Sequence, residues 1–164
     1  MKLLLVAITA SCLLCACSSE PKTPPQGFEL IYNQSFSISI PKDFEITSSS
    51  GEQSSLPAHL TVASEENLIT ISKAAYFRDL NESCKLAANN FVHDQNEITS
   101  GPIVSGNICK ITATTAGVKS VLFMSRDNQK GILYSITYKG NLPYIRKILS
   151  TLAGDPFLEE LKRH

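Results

Sequence analysis

Apolar and polar residues alternate over several short stretches of the 164-residue chain. The clearest is Phe36-Ser37-Ile38-Ser39-Ile40, where apolar side chains occupy every second position, as in a strand with one buried face. Comparable stretches predict further strands at Phe28 to Tyr32, Leu60 to Ala63, Leu68 to Ala75, Ile103 to Thr114, Lys119 to Arg126 and Ile132 to Lys139. The pattern therefore predicts seven strands.

Two other stretches have the spacing of helices. Asp79 is a good N-cap with Glu82 three residues later, a capping-box pattern, and the helix that follows is predicted to run to about Asn96. Its apolar stripe is Leu80, Cys84, Ala87, Ala88 and Phe91. A second helix is predicted to begin after Asn141, with Pro143 in its first turn and an apolar stripe of Ile145, Ile148, Leu149 and Leu152. Asp155-Pro156 begins a short final turn.

The segments between these elements set the domain organisation. Ile46 to Pro57 is rich in Ser and Gly and is predicted to be a mobile loop, and Gly101-Pro102 is predicted to break the chain before the fifth strand. The sequence has no internal repeat and no second boundary, so residues 28–164 are predicted to form one domain. The order of elements predicts an α+β fold, with an antiparallel sheet of about six to seven strands and two main helices packed on it.

The first residues have the pattern of an export signal. Lys2 is followed by the apolar run from Leu3 to Leu14, which is about a dozen residues long and too short to span a bilayer. The run ends in Leu14-Cys15-Ala16-Cys17, which resembles the lipobox of bacterial lipoproteins, where a small residue precedes the acylated cysteine. An ordinary secretory signal is the alternative, but no small-x-small pair lies near Ser18 without Cys17 intervening.

The lipobox resemblance implies a location. Residues 1–16 are then a lipoprotein signal peptide, Cys17 carries a diacylglyceryl group and usually a third chain on its amine, and residues 17–27 form a Pro-rich tether. Two or more acyl chains hold a protein firmly to a membrane. By the sorting habit of lipoproteins, Ser18 in place of an aspartate implies the outer membrane of a Gram-negative cell, with the domain facing the periplasm.

The five cysteines agree with an oxidising compartment. Cys12 and Cys15 would leave with the signal and Cys17 would carry lipid, which leaves Cys84 and Cys109 as a pair. Both fall on predicted buried faces, one of the first helix and one of the strand after Gly101-Pro102, so we expect a disulfide between helix and sheet. Cys84 and Cys109 are far apart in the sequence and neither belongs to a C-x-x-C, so these two residues lack the spacing of zinc ligands.

Charge excludes nucleic acid as a partner. Without residues 1–16 the chain of 148 residues loses one basic residue, Lys2, and has 14 basic residues against 15 acidic ones. Binding to nucleic acid depends on clustered Lys and Arg, which this composition does not provide.

A longer resemblance covers residues 28 to 152 or so. Phe36-Ser-Ile-Ser-Ile-Pro-Lys-Asp-Phe44, a mid-chain helix, the strand Gly131 to Thr137 and the segment Tyr144 to Leu152 resemble the DcrB-like lipoproteins. These share a fold with the PsbP extrinsic proteins of photosystem II and the Mog-type Ran-binding proteins. The resemblance implies a PsbP-like α+β fold and a binding or assembly function, and it brings no shared catalytic site.

Signatures of catalysis and of cofactors are missing from the sequence. It has no G-x-S-x-G elbow and no Gly-rich phosphate loop, and His59 and His93 are isolated from each other. The acidic pairs Glu65-Glu66 and Glu159-Glu160 consist of adjacent residues, which point apart on a strand or a helix. We therefore predict no catalytic residues, no metal and no cofactor.

Strand parity predicts a partner-binding face. If Phe36, Ile38, Ile40, Ile69, Ile71, Tyr134 and Ile136 point at the helices, the opposite face presents Ser37, Ser39, Thr70, Ser72, Ser135 and Thr137. This face is rich in hydroxyls and nearly free of charge, and it either is merely solvated or receives a partner across it or along the neighbouring edge strand.

The sequence as a whole favours a lipid-anchored, periplasm-facing and non-enzymatic binding or envelope-assembly module. Its partners would be the membrane, through the lipid on Cys17, and an envelope protein. A lipoprotein that carries a small ligand in an apolar cavity is the alternative, and an enzyme with a site built from scattered residues is the third hypothesis.

Overall fold

The computed structural model describes residues 23–33, 35–50 and 58–164, with the backbone alone at Ser50. The proposed signal peptide, Cys17 and the first part of the tether lie outside the described residues, as do residues 51–57 of the predicted loop. Within the described ranges the chain forms nine strands and three helices in a single α+β domain, which confirms the predicted fold class. None of the helices of these ranges is long and apolar enough to cross a membrane.

The strands are β1 (Phe28–Asn33), β2 (Phe36–Pro41), β3 (Glu45–Ser50), β4 (Ala58–Ala63), β5 (Leu68–Ala75), β6 (Glu97–Ser105), β7 (Ile108–Thr115), β8 (Val118–Asp127) and β9 (Ile132–Lys139). The helices are α1 (Leu80–His93), α2 (Leu142–Leu149) and α3 (Pro156–Leu161).

The main sheet is antiparallel and has the strand order β3-β4-β5-β9-β8-β7-β6. The last strand in the sequence, β9, is the middle strand of the sheet and joins the β3–β5 meander to the β6–β8 meander. Strands β1 and β2 pair with each other in a separate two-stranded sheet. The first two predicted strands therefore lie outside the main sheet.

The larger core lies between one face of the main sheet and a layer formed by β1, β2, α2 and α3. The predicted inward side chains of β2, β5 and β9 are all buried in it, which confirms their parity. Helix α2 begins where the Asn141 side chain accepts the backbone N–H of Tyr144 at 3.2 Å, and it buries Ile145, Ile148 and Leu149. Helix α3 adds Leu158 and Leu161.

A smaller core lies on the opposite face, beneath α1. The Asp79 side chain accepts the backbone N–H of Glu82 at 2.8 Å, so the predicted N-cap of this helix is confirmed. The core consists of Leu80, Cys84 and Ala88 from α1 with Cys109, Ile111, Leu122 and Met124 from β7 and β8. The helices thus cover both faces of the sheet, whereas the parity argument had placed them on one.

The predicted disulfide is confirmed in this smaller core. Cys84 and Cys109 are bonded, and their Cα atoms are 5.9 Å apart, within the roughly 7 Å that a disulfide can span. Both side chains are almost completely buried. The bridge therefore ties α1 to β7.

Two strand boundaries differ from the prediction. Residues 45–50 form the edge strand β3, although Ile46 to Pro57 was predicted to be a loop. The predicted strand Ile103 to Thr114 is two strands, β6 and β7, joined by a turn at Gly106-Asn107. Gly101-Pro102 lies inside β6, where proline is tolerated because β6 is the outermost strand of the sheet.

Candidate functional site

On the α1 side of the sheet, the side chains are polar on β9 and apolar on β8. One row of cross-strand partners contains Ser48, Thr61, Thr70, Thr137, Leu122 and Ile111. The next row contains His59, Ser72, Ser135, Met124 and Cys109. Partners in register point to the same side of a sheet, so each row is polar on β4, β5 and β9 and apolar on β8 and β7. Helix α1 has its main contacts with β6, β7 and β8, next to the apolar part.

We call the polar part the hydroxyl half-face, defined by His59, Thr61, Thr70, Ser72, Ser135 and Thr137. All six side chains are half-buried in the described chain. Lys139, at one end of β9, is the one charged side chain that the described residues of β4, β5 and β9 place on this side. The half-face is therefore polar and nearly uncharged.

Its hydroxyls are paired across the strands. Ser72 Oγ and Ser135 Oγ are 2.7 Å apart, and Thr61 Oγ1 and Thr70 Oγ1 are 3.2 Å apart. At the edge of the sheet, Ser48 Oγ lies 2.6 Å from His59 Nε2. A hydroxyl can donate one hydrogen bond and accept two, so each pair retains capacity for further hydrogen bonds from outside the sheet.

Four of the six predicted partner-binding residues are brought together here. Thr70 pairs with Thr137 and Ser72 with Ser135 in the β5–β9 register. Ser37 and Ser39 lie elsewhere, because β2 is outside the main sheet.

The backbone of β2 explains where these two serines are held. The Ser37 N–H donates to the carbonyl of Ala153 at 2.8 Å, and the Ser39 N–H donates to Thr151 Oγ1, also at 2.8 Å. Ser39 is only 3% exposed, so its side chain does not contribute to the hydroxyl half-face. The backbone of β2 does not contribute either, because these hydrogen bonds hold it against Thr151 and Ala153. The prediction that Ser37 and Ser39 lie on the same sheet face as the other four residues is therefore wrong.

Sequence reasoning missed Thr61, Ser48 and His59. Thr61 lies between Leu60 and Val62 in a correctly predicted strand, so its parity alone would have placed it on the same face as Thr70. Ser48 and His59 gave no comparable signal, since one lay in a predicted loop and the other preceded the predicted strand. His93, the other histidine considered, is 90% exposed and lies 3.6 Å from Asp94.

A polar cleft of about 420 Å³ lies at one end of the sheet. It is lined by Asp43, Ser64, Glu65, Glu66, Asn67, Asn141 and Tyr144. The Tyr144 hydroxyl donates to Asp43 Oδ1 at 3.3 Å, and burial together with the negative charge of Asp43 raises the pKa of Tyr144. The cleft is therefore acidic, and the phenol in it stays protonated. Sequence reasoning missed it because its residues come from three separate turns and a helix.

The Asn67 side chain holds one wall of this cleft in place. Its Oδ1 accepts the backbone N–H of Asn141 at 2.8 Å, and its Nδ2 donates to Ser64 Oγ at 3.2 Å. These bonds join the β4–β5 turn to the start of α2. Among the described residues, no group of three or more His, Cys, Asp or Glu side chains has the arrangement of a metal site.

No protein-family model matches the chain, and a search of curated proteins finds no match.

Proposed function

We propose that this chain is a lipid-anchored, periplasm-facing and non-enzymatic module that binds a protein partner in the cell envelope. The observation that supports a binding function is that one face of the sheet is apolar on β8 and polar on β9. Helix α1 packs beside the apolar side chains of β7 and β8, while the hydroxyl half-face carries half-buried polar groups on three neighbouring strands. The partner lies across the hydroxyl half-face.

The chemistry of the hydroxyl half-face suits a protein partner. Covering a neutral hydroxyl costs much less than covering a charge, and the cost is recovered when the hydroxyl forms a hydrogen bond. Thr70, Ser72, Ser135 and Thr137 form a compact group on adjacent strands, which can meet backbone amides or the side chains of Asn, Gln, Ser and Tyr. Binding is therefore expected to depend on shape and hydrogen bonds more than on ion pairs.

The anchoring part of the proposal comes from the N-terminal sequence. The apolar run and the lipobox-like Leu14-Cys15-Ala16-Cys17 support lipidation of Cys17. The tether reaches the domain at Gly27, whose carbonyl accepts the Lys42 N–H at 3.2 Å. The ten positions from Cys17 to Gly27 set an upper limit of roughly 33 Å on the distance between the lipid and the start of the domain.

The polar cleft bears on the alternative of a small-ligand carrier. A carrier of apolar ligands needs a cavity with mainly apolar walls. The cleft is lined by acidic, amide and hydroxyl side chains, with Tyr144 as its one aromatic residue. This lining does not suit an apolar ligand, so the cleft gives the carrier hypothesis no support.

Affinity capture from envelope membranes tests the proposed function. We expect the full-length protein to capture the same crosslinked proteins as a Ser105→Lys control, whose substitution lies on exposed β6. Ser72→Lys and Thr137→Lys should lose those proteins while their melting temperatures stay within a few degrees of the unsubstituted protein. Unchanged capture by both variants would contradict binding through the hydroxyl half-face.

A further inference from the structure

Strand β3 is an edge strand of the main sheet and has few of the features that prevent another strand from pairing with it. Among the described strands it pairs with β4 alone, so the backbone groups on its other side are a template for a further strand. Edge strands usually prevent the addition of a further strand with proline, lysine or bulges. The opposite edge, β6, contains Pro102 and has two shifts in register against β7. In contrast, β3 has neither proline nor lysine and shows one shift, between Ile46 and Ser48.

The side chains of β3 indicate what an added strand would meet. Ile46 pairs with buried Val62 and points to the α2 side, yet it is 48% exposed. Ser48 pairs with Thr61 and continues the hydroxyl half-face to the edge of the sheet. A strand added to β3 would therefore cover Ile46 with an apolar side chain and place Ser, Thr or Asn beside Ser48.

The start of β3 is strongly acidic. Glu45 pairs with Ala63, so Asp43 and Glu45 lie beside the β4–β5 turn that carries Glu65 and Glu66. Three of these four carboxylates line the polar cleft. Within the described ranges none of the four forms a salt bridge, and Lys42 is the neighbouring cation in the sequence. A partner strand would thus gain from a basic residue at this end.

We propose that the partner donates an extended segment that adds antiparallel to β3, with a basic residue at the C-terminal end of the segment seated at the acidic cleft. The inference rests on the proposed function and names the kind of partner. The antiparallel direction follows from the rest of the sheet and from the stronger pairing of antiparallel strands. In that direction the C-terminal end of the added strand lies beside Glu45, at the start of β3.

A synthetic peptide of eight alternating Thr and Val residues followed by two Lys tests this directly. With the full chain in detergent micelles, we expect the labelled peptide to bind and to slow amide hydrogen exchange in residues 45–50. A peptide with Glu in place of Lys should bind about tenfold more weakly, because two exposed ion pairs are lost. A peptide with the two Lys at its N-terminal end should show the same loss.

Matched variants locate the binding edge. Ile46→Lys should abolish peptide binding, because an edge lysine opposes strand addition. Ile103→Lys is the control, since Ile103 is 52% exposed on the opposite edge, and it should bind as the unsubstituted protein does. Melting temperatures of both variants establish that they are folded.

The inference would be overturned by no binding of the Lys-ended peptide, by equal binding to Ile46→Lys, or by slowed exchange in β6 in place of β3. A shift of the protein to a dimer, lost in Ile46→Lys, would assign β3 to a second copy and would also overturn it. If the peptide fails while Ser72→Lys still loses the envelope partner, strand addition is wrong and the proposed function stands. If the peptide binds but both half-face variants retain capture, the edge is the site and the half-face is not.

Discussion

Leu122 of β8 and Thr137 of β9 are direct cross-strand partners, and the sheet changes from apolar to hydroxyl between them. Leu122 is 6% exposed in the core beneath α1, whereas Thr137 is half-buried on the hydroxyl half-face. Two neighbouring side chains on one face of the sheet thus have different tasks. The first packs in the core beneath α1, and the second belongs to the proposed partner-binding surface.

Alanine at these two positions should have unequal effects on stability. Leu122→Ala removes apolar contacts in the core beneath α1 and should lower the free energy of unfolding by about 3 kcal/mol. Thr137→Ala leaves the core intact and should lower it by less than about 1 kcal/mol. Urea unfolding of both variants measures the difference. Equal losses would mean that the hydroxyl half-face is as important for packing as the α1 core.

Loss of the Cys84–Cys109 disulfide should destabilise the domain substantially. The two residues are 25 positions apart, and the chain-entropy model gives about 3.5 kcal/mol for a closed loop of this size. Unfolding of the protein with and without reductant should show a loss of this order. A double variant, Cys84→Ala with Cys109→Ala, is the control and should unfold identically with and without reductant. A reductant effect in that variant would trace the loss to another cause.

Stability should fall in strong alkali because of Tyr134. Burial, followed by the negative charges of Asp155 and Asp127, raises the pKa of Tyr134 from 10.0 to about 12. The neutral phenol is thus favoured in the folded state. Its contribution is complete below pH 10, the unfolded pKa, and is lost as the pH rises towards the folded pKa of about 12.

The comparison for this prediction is Tyr134→Phe. Between pH 9 and pH 12 we expect the free energy of unfolding of the unsubstituted protein to fall by about 2 kcal/mol more than that of the variant. The tyrosine absorbance titration of the folded protein should show one phenol fewer at high pH in Tyr134→Phe. Parallel stability curves would contradict a raised pKa at this position.

Membrane attachment should depend on Cys17. Under the proposed lipidation, Cys17→Ala should leave the domain folded but release it from membranes or hold it as an unprocessed precursor. Fractionation with detergent phase separation measures this, and Cys15→Ala is the control that should remain attached. A processed Cys17→Ala protein that still requires detergent would contradict lipidation at Cys17.

Much of the fold could be predicted because its buried residues are periodic. β9 was predicted with its observed bounds, Ile132–Lys139, since every second residue of this central strand faces the larger core. Asp79 signalled the start of α1, because N-capping is a local interaction. The disulfide could be predicted because Cys84 lies on the buried face of α1 and Cys109 lies on the buried face of β7.

Edge strands could not be predicted in the same way. β3 has exposed side chains throughout the positions where they are described, so the apolar alternation that marks a half-buried strand is absent. The turn at Gly106-Asn107 was missed because apolar residues continue on both sides of it, from Ile103 to Ile111. Both errors arise where tertiary pairing, more than local pattern, decides the structure.

Four of the six residues that define the hydroxyl half-face were predicted from strand parity, whereas His59, Thr61 and the polar cleft were not. Thr70 and Thr137 could be placed on one face because each lies in a strand of the main sheet. The alternation of residues could not show that β2 pairs outside the main sheet. For this reason Ser37 and Ser39 do not lie on the predicted face. The polar cleft depends on turns that meet only after folding, so no stretch of sequence signalled it.

The central position of β9 has a consequence for how the domain assembles. Its partner β5 is distant in sequence, because Ser72 and Ser135, whose hydroxyls are bonded, are 63 positions apart. The β3–β5 meander can form from local hairpins, and so can β6–β9, because β9 follows β8 through a short turn. The two parts join only when β9 pairs with β5. Closing such a long loop is entropically costly and places this topology among the slower-folding ones. Until that step the inner edges of β5 and β9 are both unpaired, and a chain arrested there is open to pairing with other molecules.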